Sequence, residues 1–206
     1  ALSDARFMTL ALSMGRRGMG RTWPNPSVGC VVVKDNQIVG AGTTADGGRP
    51  HAEVVALSQA GAKAHGATAY VTLEPCVHAG KSPPCTEALI KSGVARVVAA
   101  VGDPDPRVNG KGFRALKAAG VEVVTGVMAG QAACDHRGFF LKNSQYRPFL
   151  TLKIATSFDG RTATANGQSK WITDAPARRL VHMMRSRHDA VMVGGCLLYT
   201  SPSPRD

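Results

Sequence analysis

Short apolar segments alternate with helical segments from residue 28 to residue 125, and this alternation limits the possible folds more than any other feature of the chain. Each apolar segment has the length of one β-strand and ends near a turn that contains glycine, proline, asparagine or aspartate. Strands separated by helices form a central sheet with helices on both faces. The sequence therefore predicts an α/β protein.

The predicted strands are residues 28–33, 37–42, 69–73, 94–101 and 121–125, and the predicted helices are residues 3–17, 51–64, 86–92 and 112–119. Only the turn Lys34-Asp35-Asn36 separates the first two strands, which predicts a β-hairpin. Pro24 and Pro26 exclude a helix immediately before the hairpin, because proline restricts its own backbone and that of the residue before it.

A second unit is predicted to begin after residue 144, where a polar stretch ends in Arg147-Pro148. Its predicted elements are a strand at 149–155, a turn at Asp159-Gly160, a helix at 176–187 and a strand at 190–193. Two strands and one helix bury too little apolar surface to be stable alone. We therefore predict two domains, residues 1–144 and residues 145–195, the second being the N-terminal fragment of a larger α/β domain.

The last residues, 196–206, do not continue this pattern. Codons can be chosen for them that reproduce a transposase-type sequencing-library adapter. We therefore expect residues 196–206 to be a non-native tail. Genomic sequence that continues in frame past Gly195 through the same codons would contradict this expectation.

Composition limits the functions open to the chain. The 25 Lys and Arg residues exceed the 14 Asp and Glu residues and give a formal net charge of +11, which suits either a nucleic-acid surface or a pocket for an anionic metabolite. The basic residues are mostly spread out, with no compact block among aromatics, which argues against nucleic acid. No apolar stretch approaches the ~18 residues of a membrane span, and five unevenly spaced cysteines do not form a disulfide framework. We expect a cytoplasmic protein without a membrane or nucleic-acid partner.

The strongest functional signal is a set of metal-ligating side chains in three short motifs. These motifs are His51-Ala52-Glu53, Pro75-Cys76 and, after a loop of eight residues, Cys85. Imidazole and thiolate suit zinc, and three protein ligands with an open fourth position are typical of a catalytic site. The predicted elements place each ligand at the end of a strand or the start of a helix. We predict that His51, Cys76 and Cys85 bind Zn²⁺.

Glu53 lies two residues after His51, in the first turn of the same predicted helix. A carboxylate in this position can take a proton from a water activated by the metal and return it to a leaving amine. Glu53 is therefore the predicted catalytic residue. A structural zinc site is the alternative, with His78 as the nearby candidate for a fourth ligand.

These motifs resemble the signature of the zinc-dependent cytidine deaminase superfamily, in which H-x-E precedes P-C and a second cysteine. Eight residues rather than two separate the cysteines here, and this longer loop looks like that of the deaminase half of the bifunctional riboflavin-biosynthesis deaminase/reductase. The segments that carry this narrower resemblance are 22–29, 69–84, 102–106, 153–160, 169–173 and 193–194. The resemblance implies a cytidine-deaminase-like three-layer α/β/α sandwich with a central mixed sheet, followed by an incomplete α/β reductase domain.

The resemblance also implies a substrate. Members of this family deaminate 2,5-diamino-6-ribosylamino-4(3H)-pyrimidinone 5′-phosphate, a phosphorylated pyrimidine, and reduce its ribosyl group to a ribityl chain with NADPH. By motif, Asn25 would contact the pyrimidine edge, and His78 and Lys81 would face the ribose phosphate. Thr44 stands where many relatives carry a histidine, so a hydroxyl would have to replace that polar contact. The resemblance further implies a homo-oligomer.

In the reductase part, the resemblance implies substrate contacts at Ser169 and Arg185 and NADPH contacts at Ala155 and Trp171. The planar guanidinium of Arg185 suits a phosphate group. The glycine-rich turn that begins at Gly194 is cut short, and the chain contains no complete G-x-G-x-x-G motif for binding phosphates. We therefore expect no NADPH-dependent reduction by this chain, and an assay of NADPH oxidation would test this.

Two other functions remain open at this stage. A nucleic-acid deaminase of the same fold would use the basic surface to hold a tRNA or a single strand, and a salt-dependent interaction with RNA would support it. A non-catalytic zinc protein or inactive fragment would release no ammonia from any aminopyrimidine. The long loop between the cysteines, Asn25 in its proline-bracketed turn and the appended second unit favour the small-molecule deaminase.

Overall fold

A computed structural model describes residues 2–79 and 82–195 of the chain. Its contacts divide the chain after Leu150 into two units, a few residues beyond the domain boundary predicted after residue 144. No helix in the described ranges is long and apolar enough to cross a membrane. Lys81, a predicted substrate contact, and the predicted non-native tail at 196–206 lie outside the described residues.

As far as the fifth strand, the elements of the first unit follow the predicted order. They are α1 (Leu2–Arg17), β1 (Gly29–Lys34), β2 (Gln37–Thr43), α2 (Ala52–Ala60), β3 (Thr68–Val71), α3 (Cys85–Lys91), β4 (Arg96–Ala99), α4 (Lys111–Ala118), β5 (Glu122–Thr125), α5 (Ala129–Asp135) and α6 (Arg137–Gln145). Sequence reasoning missed α5 and α6. Only Ala132 is buried in α5 and no residue is buried in α6, so neither helix has a broad apolar stripe that a sequence pattern could reveal.

The strands form one mixed sheet in the order β2-β1-β3-β4-β5. β1 is antiparallel to both β2 and β3, whereas β3, β4 and β5 are parallel. The predicted hairpin is confirmed, with Lys34 paired to Gln37 beside its turn. The parallel strands are connected through α3 and α4, because a parallel pair needs a crossover between its strands.

Both faces of the sheet are covered, which explains why its strands appear in the sequence as continuous apolar runs. Cys30 and Val32 of β1 belong to the core under α2, α3 and α4, whereas Val31 and Val33 belong to the core under α1. The buried residues of α1 in the second core are Phe7, Met8, Ala11 and Leu12. The predicted α/β/α arrangement is therefore confirmed.

His136, between α5 and α6, is buried with 4% of its surface exposed. Its Nε2 lies 3.2 Å from the hydroxyl of Thr72, which accepts a hydrogen bond from the N–H of Gly29 at 3.1 Å. The Thr72 hydroxyl can donate its own proton to Nε2 of His136 only when this nitrogen carries no proton. Burial lowers the pKa of His136 to about 4, so the folded chain holds this ring neutral.

We expect this burial to make the first unit sensitive to acid. Below the ordinary pKa of 6.5 the unfolded chain binds a proton at His136 that the folded chain does not bind until about pH 4. The associated stability is complete above pH 6.5 and is lost as the pH falls towards 4, by up to about 3 kcal/mol. Urea unfolding at pH 7 and pH 4.5 should therefore show a smaller loss for His136→Gln than for the unmutated chain.

The exposed histidine His65 offers a matched control for this measurement. His65→Gln should lose as much stability between the two pH values as the unmutated chain. If His136→Gln behaved in the same way as His65→Gln, the ring of His136 would have to accept a proton within the fold, and the expectation would be wrong.

The described part of the second unit contains one α-helix, α7 (Ala175–Ser186), close to the predicted range of 176–187. Asp174 caps this helix by accepting a hydrogen bond from the N–H of Ala177. The strands predicted at 149–155 and 190–193 are not formed, and both segments are irregular. A strand needs a neighbouring strand for its backbone hydrogen bonds, and the described residues of this unit supply none. These two strand predictions are therefore wrong for the chain as it stands.

Candidate zinc site and pocket

Three elements bring the predicted zinc ligands together. His51 is the N-cap of α2, Cys85 is the first residue of α3, and Cys76 lies in the loop after β3. Both helices pack on the same face of the sheet, and both begin beside the loop after β3, where the N–H of Cys85 donates a hydrogen bond to Sγ of Cys76 at 3.3 Å. One nitrogen of His51 and the two cysteine sulfurs all lie within 4.8 Å of one another.

The distances in this group fit a tetrahedral zinc ion. Nδ1 of His51 lies 3.2 Å from Sγ of Cys85 and 3.6 Å from Sγ of Cys76. Bonds of about 2.3 Å to sulfur and about 2.1 Å to nitrogen place these atoms about 3.6 Å apart on a tetrahedral ion. His78, the alternative fourth ligand, does not belong to the group among the described residues. The arrangement thus fits zinc with three protein ligands and an open position.

The acidic groups of the site also fit a divalent cation. A hydrogen bond from the Cys85 thiol is the main cause that lowers the pKa of Cys76 to about 4. Its hydrogen bond to Cys76 and its burial raise the pKa of Cys85. Glu53 is buried, and burial raises its pKa to about 7. Three acidic groups in one buried site repel one another, and a zinc ion would balance their charge.

The group borders an open pocket. Asn25 and His78, two of the predicted substrate contacts, line this pocket together with Glu53. Further polar or aromatic residues of the lining have no role assigned in the sequence analysis: Arg49, Glu74, Asp103, Asp105, Arg107 and Phe139. Asp103 and Asp105 follow β4, and the position could have indicated them, because ligand sites commonly lie beyond the carboxyl ends of parallel strands.

Asn25 is held in the pocket by the loop that precedes α2. Its Nδ2 donates a hydrogen bond to the carbonyl oxygen of Gly48 at 2.8 Å and lies 3.4 Å from Nε2 of His51. A Cβ added at Gly48, where φ is +84°, would lie 2.8 Å from Nδ2 of Asn25 and 2.7 Å from the carbonyl oxygen of Thr22. Glycine is therefore required here by both the backbone conformation and the contact with Asn25.

His78 and Thr44 differ in what they offer to a ligand. Nδ1 of His78 is buried and has no hydrogen-bond partner among the described residues, a condition that costs free energy unless a ligand pairs with the atom. The hydroxyl of Thr44 also borders the pocket, but it accepts a hydrogen bond from the N–H of Val28 at 2.9 Å. His78 is thus the better placed of the two to bind a ligand.

The predicted reductase contacts all lie in the second unit. Ala155 lies in an irregular segment, Ser169 is exposed, and Arg185 lies in the last turn of α7. Trp171 is 60% exposed, and the guanidinium carbon of Arg178 lies 4.4 Å from the centre of one of its rings. The roles of Ala155, Ser169, Trp171 and Arg185 remain predictions.

Two family models match the chain. Residues 2–101 match the cytidine and deoxycytidylate deaminase zinc-binding region, and residues 148–201 match the RibD C-terminal domain. The first match contains His51, Glu53, Cys76 and Cys85, whose geometry fits a catalytic zinc site. The fold and this site together define a deaminase domain of the cytidine deaminase class. The second match extends to residue 201 and so enters the tail at 196–206. The non-native origin of this tail remains a prediction.

Comparison with individual relatives narrows the assignment within this class. RibD of Aquifex aeolicus is 51% identical over 191 residues, which cover 93% of this chain and 54% of that protein. RibD of Acinetobacter baumannii has a solved structure that is 51% identical with a TM-score of 0.81, covering 90% of this chain and 52% of that one. The diaminohydroxyphosphoribosylaminopyrimidine deaminase/5-amino-6-(5-phosphoribosylamino)uracil reductase of Thermotoga maritima is 42% identical with a TM-score of 0.89, covering 97% and 58%. The chain belongs to the RibD family of riboflavin biosynthesis proteins, and it spans about half the length of the curated relatives it matches.

Proposed function

We propose that the first unit catalyses the hydrolytic deamination of 2,5-diamino-6-ribosylamino-4(3H)-pyrimidinone 5′-phosphate, with Zn²⁺ held by His51, Cys76 and Cys85. The observation that carries this proposal is the buried carboxylate of Glu53, which lies directly beside the donor group and lines the pocket. The name of the Thermotoga maritima relative, a diaminohydroxyphosphoribosylaminopyrimidine deaminase, supports the choice of substrate.

The reaction replaces an amino group of the ring by oxygen. A carbon–oxygen bond to water forms, the carbon–nitrogen bond breaks, and ammonia leaves. When bound, zinc supplies the acidity that makes water a nucleophile near neutral pH. Glu53 takes one proton from the attacking water and delivers it to the ring nitrogen, and it then takes the second proton from the added hydroxyl and delivers it to the departing amino group, which leaves as ammonia. Its burial keeps bulk water away from this proton transfer.

Polar groups of the pocket orient the substrate. Since Nδ2 of Asn25 is bound to Gly48, its Oδ1 remains to accept a hydrogen bond from an N–H of the pyrimidine edge. The unpaired Nδ1 of His78 meets the ribose phosphate, together with Lys81. The net charge of +11 suits an anionic metabolite. The partner of this site is therefore a small phosphorylated pyrimidine rather than a nucleic acid.

The second unit is proposed to be part of an NADPH-dependent reductase domain. The match of residues 148–201 to the RibD C-terminal domain supports this assignment. Ala155 and Trp171 would contact NADPH, and Ser169 and Arg185 would contact the substrate. Reduction of the ribosyl group and assembly into a homo-oligomer belong to the same proposal for the whole protein.

Ammonia release by the zinc-loaded chain tests the deaminase proposal. The assay compares the phosphorylated diaminopyrimidine with cytidine and with a tRNA anticodon stem. We expect turnover of the diaminopyrimidine alone. Deamination of the tRNA stem would instead support a nucleic-acid deaminase, and no ammonia from any of the three would support a zinc protein without this activity.

Substitution of Gly48 tests the placement of Asn25. We expect Gly48→Ala to raise the KM of deamination at least about tenfold, because the new methyl group displaces an amide that contacts the substrate. Gly47→Ala is the matched control, since Gly47 also has a positive φ, of +73°, but has no atom within 4 Å of an added Cβ. Steady-state kinetics at equal zinc content measure both variants. Equal KM values for the two would contradict the role of Asn25.

A further inference from the structure

We propose that Glu74 is a positioning residue that holds one wall of the pocket against the loop of the zinc ligand Cys76. The inference rests on the proposed deaminase function. Glu74 is 3% exposed, and its carboxylate accepts hydrogen bonds from four backbone N–H groups. Oε1 accepts from Gly112 at 2.9 Å and Phe113 at 3.3 Å, and Oε2 accepts from Gly110 at 2.9 Å and Asp103 at 3.2 Å.

A carboxylate suits this position for electrostatic reasons. The first N–H groups of a helix have no partner within the helix, and the partial charge at that end is positive. The N-cap of α4 is Gly110, which has no side chain that could accept these hydrogen bonds. Glu74 therefore caps α4 from a distant part of the chain, and two acceptor oxygens are needed to serve all four donors.

The segment held in this way carries a wall of the pocket. Asp103, Asp105, Arg107 and Val108 all line the pocket and lie between β4 and α4. Oδ1 of Asp103 accepts from the N–H of Asp105 at 2.8 Å, and Oδ1 of Asp105 accepts from the N–H of Arg107 at 2.9 Å. A series of hydrogen bonds thus links Glu74 to Asp103, Asp105 and Arg107, and all three of these residues line the pocket.

On its other side, the same segment approaches the loop of the zinc ligand. Glu74 precedes Cys76 by two residues, and a Cβ added at Gly112 would lie only 2.2 Å from the carbonyl oxygen of Pro75. The first turn of α4 therefore packs directly on the peptide that leads to the ligand. Glu74 sets how far the wall stands from the metal, because its carboxylate accepts from backbone N–H groups of this segment rather than from the metal donors or Glu53. Its loss should consequently impair substrate binding more than the chemical step.

The test compares Glu74→Gln with Glu87→Gln, which removes the same charge from an exposed position of α3. For Glu74→Gln we expect KM to rise at least tenfold, kcat to stay within threefold and the zinc content to stay unchanged. Amide hydrogen exchange, measured by NMR, should accelerate at least tenfold at Asp103, Gly110, Gly112 and Phe113, and not in the strands. Glu87→Gln should match the unmutated chain in all of these. Glu74→Asp keeps the charge on a shorter side chain, and its KM should rise less than that of Glu74→Gln.

Distinct results would overturn the proposal. Unchanged KM together with unchanged exchange would show that the four hydrogen bonds do not position the wall. Loss of zinc, or faster exchange throughout the sheet, would show a purely structural role instead. If the unmutated chain deaminates no diaminopyrimidine, the proposed function fails, and the exchange at the four amides in Glu74→Gln decides the positioning role alone. If Glu74→Gln does not fold, the same measurements on Glu74→Asp decide it.

Discussion

Replacing Glu53 by glutamine is expected to lower kcat for ammonia release between about 100-fold and 10,000-fold while zinc stays bound. The amide has nearly the shape of the carboxylate but cannot take a proton from water. Glu53 is not one of the three donor residues, so metal binding should persist. Ammonia release and metal content, measured on the same preparation, check both halves of this result.

Two further variants test whether this loss of activity comes from the missing proton acceptor. Glu53→Ala should lose as much activity as Glu53→Gln, because both lack a proton acceptor and differ only in shape. Glu87→Gln, at an exposed carboxylate, should keep full activity. Retention of more than about a tenth of the activity in Glu53→Gln would assign the proton transfer to another group.

Cys85→Ser is expected to reduce the zinc content from about one ion per chain to a small fraction and to abolish ammonia release. Cys85 is fully buried, and its sulfur lies 3.2 Å from Nδ1 of His51, so its loss removes one of the three donors that the described residues bring together. A serine hydroxyl is a much poorer ligand for zinc than a thiolate. Metal analysis after gel filtration measures the change directly.

The exposed cysteine Cys134 provides the control for this substitution. Cys134→Ser should retain both zinc and activity, since this thiol is not part of the donor group. A chelator should remove activity from the unmutated chain, and added zinc should restore it. Full zinc content in Cys85→Ser would contradict the ligand assignment.

Sequence patterns predicted the first unit well because each of its elements carries its own signal. The apolar runs on both faces of the sheet and the breaks at glycine and proline located all of its strands within a few residues. The two helices after β5 escaped detection because they bury few residues: Ala132 is buried in α5, whereas Phe139 and Phe140 of α6 pack against the core but are only partly buried. The strands predicted at 149–155 and 190–193 failed for another reason, since a strand forms only where a neighbour pairs with it.

The site, too, was predicted in part from the sequence and in part revealed only by the structure. His51, Cys76 and Cys85 were identified from residue type and spacing, and the structure brings their donor atoms together. Asp103, Asp105 and Arg107 of the pocket wall were assigned no functional role in the sequence analysis, although Asp103 and Asp105 lie in a segment that carries the family resemblance. Only the return of this segment to the zinc-binding loop gives these side chains a common surface.

By itself the sequence determined which chemistry is available: an imidazole, two thiols and a carboxylate, at the starts of two helices and in the loop after a strand. These properties are local and depend on a few neighbouring residues. The tertiary structure alone decided that Nδ1 of His51 faces the sulfurs and that Glu74 caps a helix more than 30 residues away. Such contacts depend on how the whole sheet brings distant segments side by side, and no local pattern encodes them.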